Sequence, residues 1–537
     1  MSQSAPLVIL LVLTAAGAGV GLFFSPRPPE QAAVPSPAVG QPAKTAPAST
    51  PVPIAVPLQP PPEDTLKLPD FPQPQETASI LPPVAGNTGA DGDKNGQIRL
   101  LEGQVEYLQG QVYALQEENA KLLQKLGTLG MKGVPKVEMP MEDDDPPDFV
   151  GMGIELMKFR KLQALPVPTT GVTQAEVEKA ILTWLRKLQP EDQGPRFALA
   201  LNALGWIDKP VDPLPVQAAL WARQLGGWYD ETSGTLLVTD KNPVPGAPAP
   251  DRPLALAFGQ LLREYGSTLF PERPSPLTTD ERLARECLIA GDAGLTRFLF
   301  SLQNPEAAPA SDLPAEDPDH PLNEVQAPVF LRELSMFPFR PGFEFAQSLH
   351  SAGDFAQLNA AYSRPPQDCG EIIEVERYLE NRQLPSSRPE FAQTKVGDIS
   401  PYWDDSVGRF AIFTVLRTYN SDEDAGQAAR GWQSDRLLAY AAPDHPRDHA
   451  AWQTQWLGKE QAGRFFSAMR NWLDQRYDVA LAKDTPEEVA LSAQGRHIRL
   501  LRNRNGQGVL LLDAATEDFA SRLHTTLESS SPAPKAP

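Results

Sequence analysis

The stretch Gly227-Trp228-Tyr229-Asp230-Glu231-Thr232-Ser233-Gly234-Thr235-Leu236-Leu237-Val238-Thr239 decides the fold class, because it reads as two short strands around a tight turn. Bulky aromatic and apolar residues flank a Thr-Ser-Gly cluster, the composition of a β-hairpin. Outward from it the pattern is helical. Upstream, Thr173 to Leu188 spaces Val177, Ile181, Trp184, Leu185 and Leu188 on one face, with Thr173 as cap. Downstream, a helix is predicted from Pro253 to Tyr265, opened by proline and closed by Gly266, and another from Thr278 to Leu302. Helix, hairpin, helix, helix is an α+β arrangement. Near the C-terminus, Asn503-Arg504-Asn505-Gly506 between the apolar runs of 499–513 reads as a second hairpin.

The first third of the 537 residues is built differently. The 57 prolines are about twice the usual share and crowd between Pro26 and Pro83. Ahead of them, Leu7 to Phe24 is an uncharged apolar run of bilayer-spanning length. Two readings of it stand: a membrane anchor, or a signal peptide cut near Ala16-Gly17-Ala18. Residues 26–95 are Pro/Ala/Gln-rich and form a semi-stiff spacer too poor in apolar residues to build a core. A heptad pattern follows. Ile98, Val105, Val112, Asn119 and Leu126 occupy one core position, and Leu101, Leu108, Leu115, Leu122 and Leu129 the other. β-branched residues at the first position and Leu at the second favour two parallel strands, with Asn119 fixing register. The first expected partner is therefore a second copy of the chain. Glu142 to Asp148 lacks the glycine turn and spacing of a calcium loop and reads as solvated linker.

A net charge of −20 argues against nucleic acid, which needs clustered Lys and Arg. The two cysteines, Cys287 and Cys369, offer no zinc or redox spacing. They read as buried thiols, or as one Cys287–Cys369 bridge if the domain is exported. His445 and His449 are four apart, but Pro446 interrupts a helix through them, and Asp448 reads as a cap for 450–456. No phosphate-binding, dinucleotide or nucleophile-elbow motif is present, and no cofactor is expected.

Taken in order, the segments resemble a group of bacterial zincin-like metallopeptidase domains. Residues 227–238 resemble that group's strand FYDPETGTLYV, the helix at 253–265 its HExxH helix, and Cys287-Leu288-Ile289-Ala290-Gly291-Asp292-Ala293 its Val-Glu-Gly-Asp-Ala segment. Phe337-Pro338-Phe339-Arg340-Pro341-Gly342, Leu358 to Tyr362, Glu376 to Leu379 and Gly431 to Arg436 are similar to later segments in the same order. The resemblance implies a mostly helical zincin-like domain with small sheets. In such a site two His at i and i+4 and a Glu from the next helix hold zinc, and a second Glu takes a proton from the bound water.

Those groups are missing here. Gly259 and Arg263 stand at the two His positions, Gln260 at that of the catalytic Glu and Ala290 at that of the third ligand. No histidine occurs between residues 151 and 319, so no shift of register restores the motif. Arg263 places a permanent positive charge where the metal would be, and the reading gives it Glu374 or the surroundings of Glu264 as partner, or a peptide carboxylate as ligand.

The domain plan is an anchor or signal at 1–25, spacer at 26–95, coiled coil at 96–130 and acidic linker at 131–153. A degenerate zincin-like domain at 154–305, a linker at 306–328, the remainder of that region at 329–527 and a tail at 528–537 complete it. The expectation is a membrane-tethered, single-pass, metal-free pseudo-peptidase dimer at a bacterial cell envelope, its head extracytoplasmic, binding a protein or peptide. Two alternatives are a hydrolase rearranged around Glu264, Glu286, Asp292 or Glu374, and a purely structural envelope protein. If the heptads pair two chains, Leu115→Pro yields monomers by light scattering with the head's circular dichroism unchanged, and Asn119→Leu yields mixed oligomers. A monomeric parent chain refutes the pairing.

Overall fold

The computed structural model describes residues 148–190, 192–240, 251–272, 276–304, 321–381 and 388–530. The apolar segment 7–24, the spacer, the heptad positions 98–129 and most of the acidic linker lie outside the described residues.

Helix α1 (Phe149–Phe159) begins inside the stretch read as linker. Asp148 caps it by accepting from Gly151 N at 2.8 Å, and its buried Phe149, Leu156 and Met157 join the core. Then come β1 (Thr169–Val172) and α2 (Gln174–Leu188), capped by Thr173 in a reciprocal box with Glu176. α3 (Gln193–Ala203) and α4 (Pro213–Leu225) lead into the expected hairpin, β2 (Gly227–Asp230) and β3 (Thr235–Thr239). β1 pairs with β3 in parallel, giving the order β1-β3-β2 with Thr169 opposite Leu236 and Trp228 opposite Leu237.

α5 (Arg252–Leu269) runs through Gly266, which the sequence reading took as its stop. Burial of Leu269 and Phe270 offsets the ~1 kcal/mol that a mid-helix glycine costs. α6 (Thr279–Gln303) starts from Thr278 in a second capping box, with Glu281. A 3₁₀ turn at Pro321–Glu324 lies in the stretch read as linker and buries Leu322 in the core. After α7 (Val329–Met336), the long α8 (Arg340–Ser363) bends at Gly353 and Asp354, the latter held at φ 57°. Two short helices follow, α9 (Cys369–Ile373) and α10 (Val375–Leu379).

The second sheet is where the structure departs furthest from the expectation of small sheets. β4 (Trp403–Asp405), α11 (Gly408–Leu416), α12 (Asp422–Ala429), β5 (Trp432–Tyr440), β6 (His449–Trp456), α13 (Lys459–Tyr477), β7 (Lys483–Asp484), β8 (Glu488–Ala493), β9 (Arg496–Arg502), β10 (Gly508–Ala514) and α14 (Glu517–Ser530) build a seven-stranded antiparallel sheet, ordered β4-β5-β6-β10-β9-β8-β7. Residues 450–456 are strand rather than capped helix, because β5 and β10 satisfy both edges of β6. Asp448 instead accepts from Ala442 N at 2.8 Å.

Three apolar clusters result. One joins α1, α2, α4, α5, α6 and α8 to the small sheet. Another lies between one face of the large sheet and α13, α11, α3 and α7. The third packs α14 on the opposite face through Phe519, Leu523 and Leu527. Both large clusters draw on residues before and after 305–320, so the two halves divided there in the sequence plan share their cores.

α6 and α8 approach to backbone contact. A Cβ on Gly291 would overlap the Gly342 carbonyl, and one on Gly342 would overlap the Cys287 carbonyl. Two residues of the segments that carried the family resemblance are thus glycines for close packing. Gly291→Ala should cost about 3 kcal/mol in urea denaturation, since backbone on the far side cannot yield as a side chain would. A loss under about 0.5 kcal/mol would show that the helices part freely.

Candidate functional site

The positions where a zincin-like site would hold its metal lie on α5 and α6, and packing fills three of the four. Gly259 is buried against β3, where a Cβ would overlap Leu236 Cδ1. A side chain at 259 would therefore have to displace the buried Leu236 methyl. Gln260 is buried against α1, its amide lying where a Cβ on Gly153 would sit. Ala290 is buried in the apolar cluster shared by α5, α6 and α8. Arg263 alone reaches the rim, half-buried. Its expected pairing with Glu374 is not made, because Arg409 Nη1 takes that carboxylate at 2.6 Å. No hydrogen bond or ion pair among the described residues holds Arg263.

Two residues beyond Ala290 the same helix carries a polar centre that sequence reading named only as an alternative. Asp292 is fully buried and accepts Arg160 Nε and Nη2, each at 2.7 Å, in a two-pronged pair. Thr296 Oγ1 (3.2 Å) and the Tyr362 hydroxyl (2.9 Å) also donate to it. Burial opposes the Arg160 charge, but Asp292 more than offsets this and raises the guanidinium above its ordinary value. Burial pushes the Tyr362 hydroxyl well up, and the Tyr265 ring stacks on it with centroids 3.7 Å apart. The guanidinium lies 4.5 Å from the Phe355 ring centroid. Four donors saturate a carboxylate, so Asp292 has no lone pair to offer a water or substrate.

The other carboxylates considered for a rearranged hydrolase are dispersed. Glu264 is exposed on α5. Glu286 is buried beside Arg282 Nη1 (2.5 Å) and Gln217 Nε2 (3.2 Å), with burial pushing its carboxyl up. Glu374 belongs to Arg409. Among the described residues, no group of three or more His, Cys, Asp or Glu is placed to hold a metal ion. Cys287 and Cys369 are buried free thiols, and burial pushes both well up. The bridge considered between them is not formed. His449 accepts from Ala515 N through Nδ1 at 3.0 Å and stacks on Phe519, and burial lowers it to about 4. It pins the start of α14 to the sheet.

Sequence reasoning missed Arg160 altogether, because its partner lies 132 positions away. It also missed a buried carboxylate, Asp435, inside the quoted segment Gly431 to Arg436. Asp435 accepts from Ser406 Oγ, Val407 N, Gly408 N and Trp452 Nε1 at 2.9–3.1 Å. A charged residue among strand residues of the large sheet was the available signal.

Residues 400–524 match a family described as a domain of unknown function, DUF8575. The matched segment spans the large sheet and most of α14. No curated protein and no solved structure matches the chain. Among the described residues no helix is long and apolar enough to cross a membrane.

Removing Asp292 isolates a buried guanidinium, so Asp292→Ala should lose about 3–5 kcal/mol in chemical denaturation. Arg160→Met combined with Asp292→Leu should recover most of that loss, because two apolar side chains replace the pair without leaving a charge unpaired. Equal losses in the single and double variants would mean that packing, rather than charge, sets the cost.

Proposed function

We propose that the protein is a non-catalytic binding or scaffolding component of a cell envelope. In this reading it is tethered by residues 7–24, paired through the heptads of 98–129, and presents a head of degenerate zincin-like metallopeptidase type. The observation that carries the head's part of this reading is the packing at the ligand positions. The Leu236 Cδ1 methyl lies where a Cβ at 259 would sit, and Ala290 is enclosed in the apolar core. A hydrolase built on other carboxylates has little support, since Asp292, Glu286 and Glu374 are each engaged by a different arginine. The peptide-binding expectation is not retained at Gly259, Gln260 and Ala290, which leave no room for a ligand. Recognition is assigned to other surfaces of the head.

The test is elemental analysis of the purified full chain, with activity measured on a mixed peptide library. The expected result is well below one zinc per chain and no cleavage above a buffer control. Stoichiometric zinc that survives dialysis against a weak chelator, or cleavage abolished by a strong one, would overturn the reading. Restoring the motif by Gly259→His, Arg263→His and Ala290→Glu together should give an unstable protein rather than a zinc protein, because the new His at 259 meets Leu236.

A further inference from the structure

Three arginines gather at the C-terminal end of α3, and one buried carboxylate receives two of them. Arg447 precedes β6, Arg496 opens β9 and Arg476 lies in the last turn of α13. Asp513 of β10 accepts Arg496 Nε at 2.7 Å and Arg447 Nη2 at 3.0 Å. Burial pushes its carboxyl up against the pull of these two guanidiniums, and Arg476 acts on it from further off. Asp448 turns its carboxylate elsewhere, to Ala442 N.

The carbonyls that end α3 are taken as well. Ala200 O accepts Leu204 N, and Leu201 O accepts Trp206 N. Asn202 O accepts Gly205 N and Arg447 Nε, and Ala203 O accepts Arg447 Nη2 at 2.8 Å. Arg476 is the guanidinium left over. A Cβ on Gly205 would lie 2.8 Å from Arg476 Nη2 and 3.0 Å from Arg447 Nη2, so both cations stand over one bare corner of backbone, which Gly205 turns at φ 69°. The half-buried Arg476 guanidinium lies 5.1 Å from the Trp472 ring centroid and 5.5 Å from that of Tyr477. Ring faces attract the charge but do not satisfy the five N–H donors of a guanidinium. Asp474 and Asp478, its neighbours along the chain, are exposed and make no ion pair with it. Among the described residues no hydrogen bond or ion pair holds Arg476. In a chain of net charge −20, this corner carries an excess of positive charge.

We propose that the corner between Gly205 and Arg476 binds a peptide carboxylate, which pairs with the Arg476 guanidinium beside the Trp472 and Tyr477 rings. One unengaged guanidinium matches the two oxygens of a carboxylate in a two-pronged pair. A phosphate group, with up to two charges and three acceptor oxygens, calls for further donors, and Arg447 is already committed to Asp513 and to the end of α3. The site rests on the binding role proposed for the head and gives that role a place, away from the filled positions on α5 and α6.

Saturation-transfer NMR titrations on the full chain test it. The probes are an acetylated and amidated alanine pentapeptide with one central glutamate, its glutamine analogue, acetylated pentaalanine with a free C-terminal carboxylate, and the amide of the last. One or both carboxylate probes should bind and neither neutral probe should; which of the two binds more tightly tells an acidic side chain from a chain end. Arg476→Gln should weaken that binding at least about tenfold with unchanged circular dichroism, since it removes a charge-assisted pair. Arg464→Gln, on the exposed side of the same helix, should leave it unchanged. Neutral probes that bind as well as the acidic ones, or an Arg476→Gln protein that binds as the parent does, overturn the site. Binding of inorganic phosphate without binding of either carboxylate probe overturns it too. Each of these results leaves the non-catalytic reading of the head standing, whereas zinc or cleavage in the assays above removes that reading without touching Arg476.

Discussion

A helix buried along most of its length that still carries charge must find a partner for each charged group, and α6 imposes that demand on the whole head. Asp280, Arg282, Arg285, Glu286 and Asp292 are all buried on it. An unmatched charge in such a place costs several kcal/mol. Each group therefore selects a neighbour. Asp280 takes the amide at the start of α9, Arg285 the carbonyl that ends α5 at Leu269, and Arg282 with Glu286 the Gln217 amide on α4. Asp292 takes Arg160 after α1. The apolar faces supply most of the free energy of this packing, but the charges decide which element goes where.

The consequence is clearest at α1. Its apolar residues would pack against many surfaces, yet Arg160 can be buried only where a carboxylate waits. Docking Arg160 on Asp292 lays Gly153 against Gln260 and brings α1 over α5. In a metal-holding relative of the proposed kind, zinc would cross-link α5 to α6. Here an ion pair ties α6 to α1, and α1 packs against α5, so rigidity at this place does not require a metal. One guanidinium nitrogen, Arg160 Nη1, is buried without a partner, and the Phe355 ring partly offsets its lost hydration.

What could be read from the sequence was what is local. The Thr173 and Thr278 caps, the hairpin through Thr232-Ser233-Gly234 and the turn at Asn503 to Gly506 each announce themselves within a few residues, because the donor and acceptor involved lie three or four positions apart. The large sheet was largely illegible for the opposite reason. β6 pairs with β10 across more than fifty residues, and its run of Ala, Trp, Gln and Thr shows no alternation, since both of its faces are covered. That Gly259 and Ala290 stand where the resemblance would place metal ligands was visible, but whether the space beside them is open or filled was not. That depended on Leu236 and on α1, whose start had been read as acidic linker.

Two of the places where the head buries charge differ in how far those charges are satisfied. Beside α5 and α6, Asp292 is saturated by four donors, and the positions around it are apolar or glycine, so a displacement there would expose a bare charge and is opposed. At the seam with 400–524 the balance is finer. Asp280 accepts from the amide and the thiol of Cys369 and from no cation, and burial pushes its carboxyl well up. The two places thus differ in kind: an ion pair with matched charges locks α1 to α6, while at the seam buried acids are held by neutral donors and by arginines on one side only.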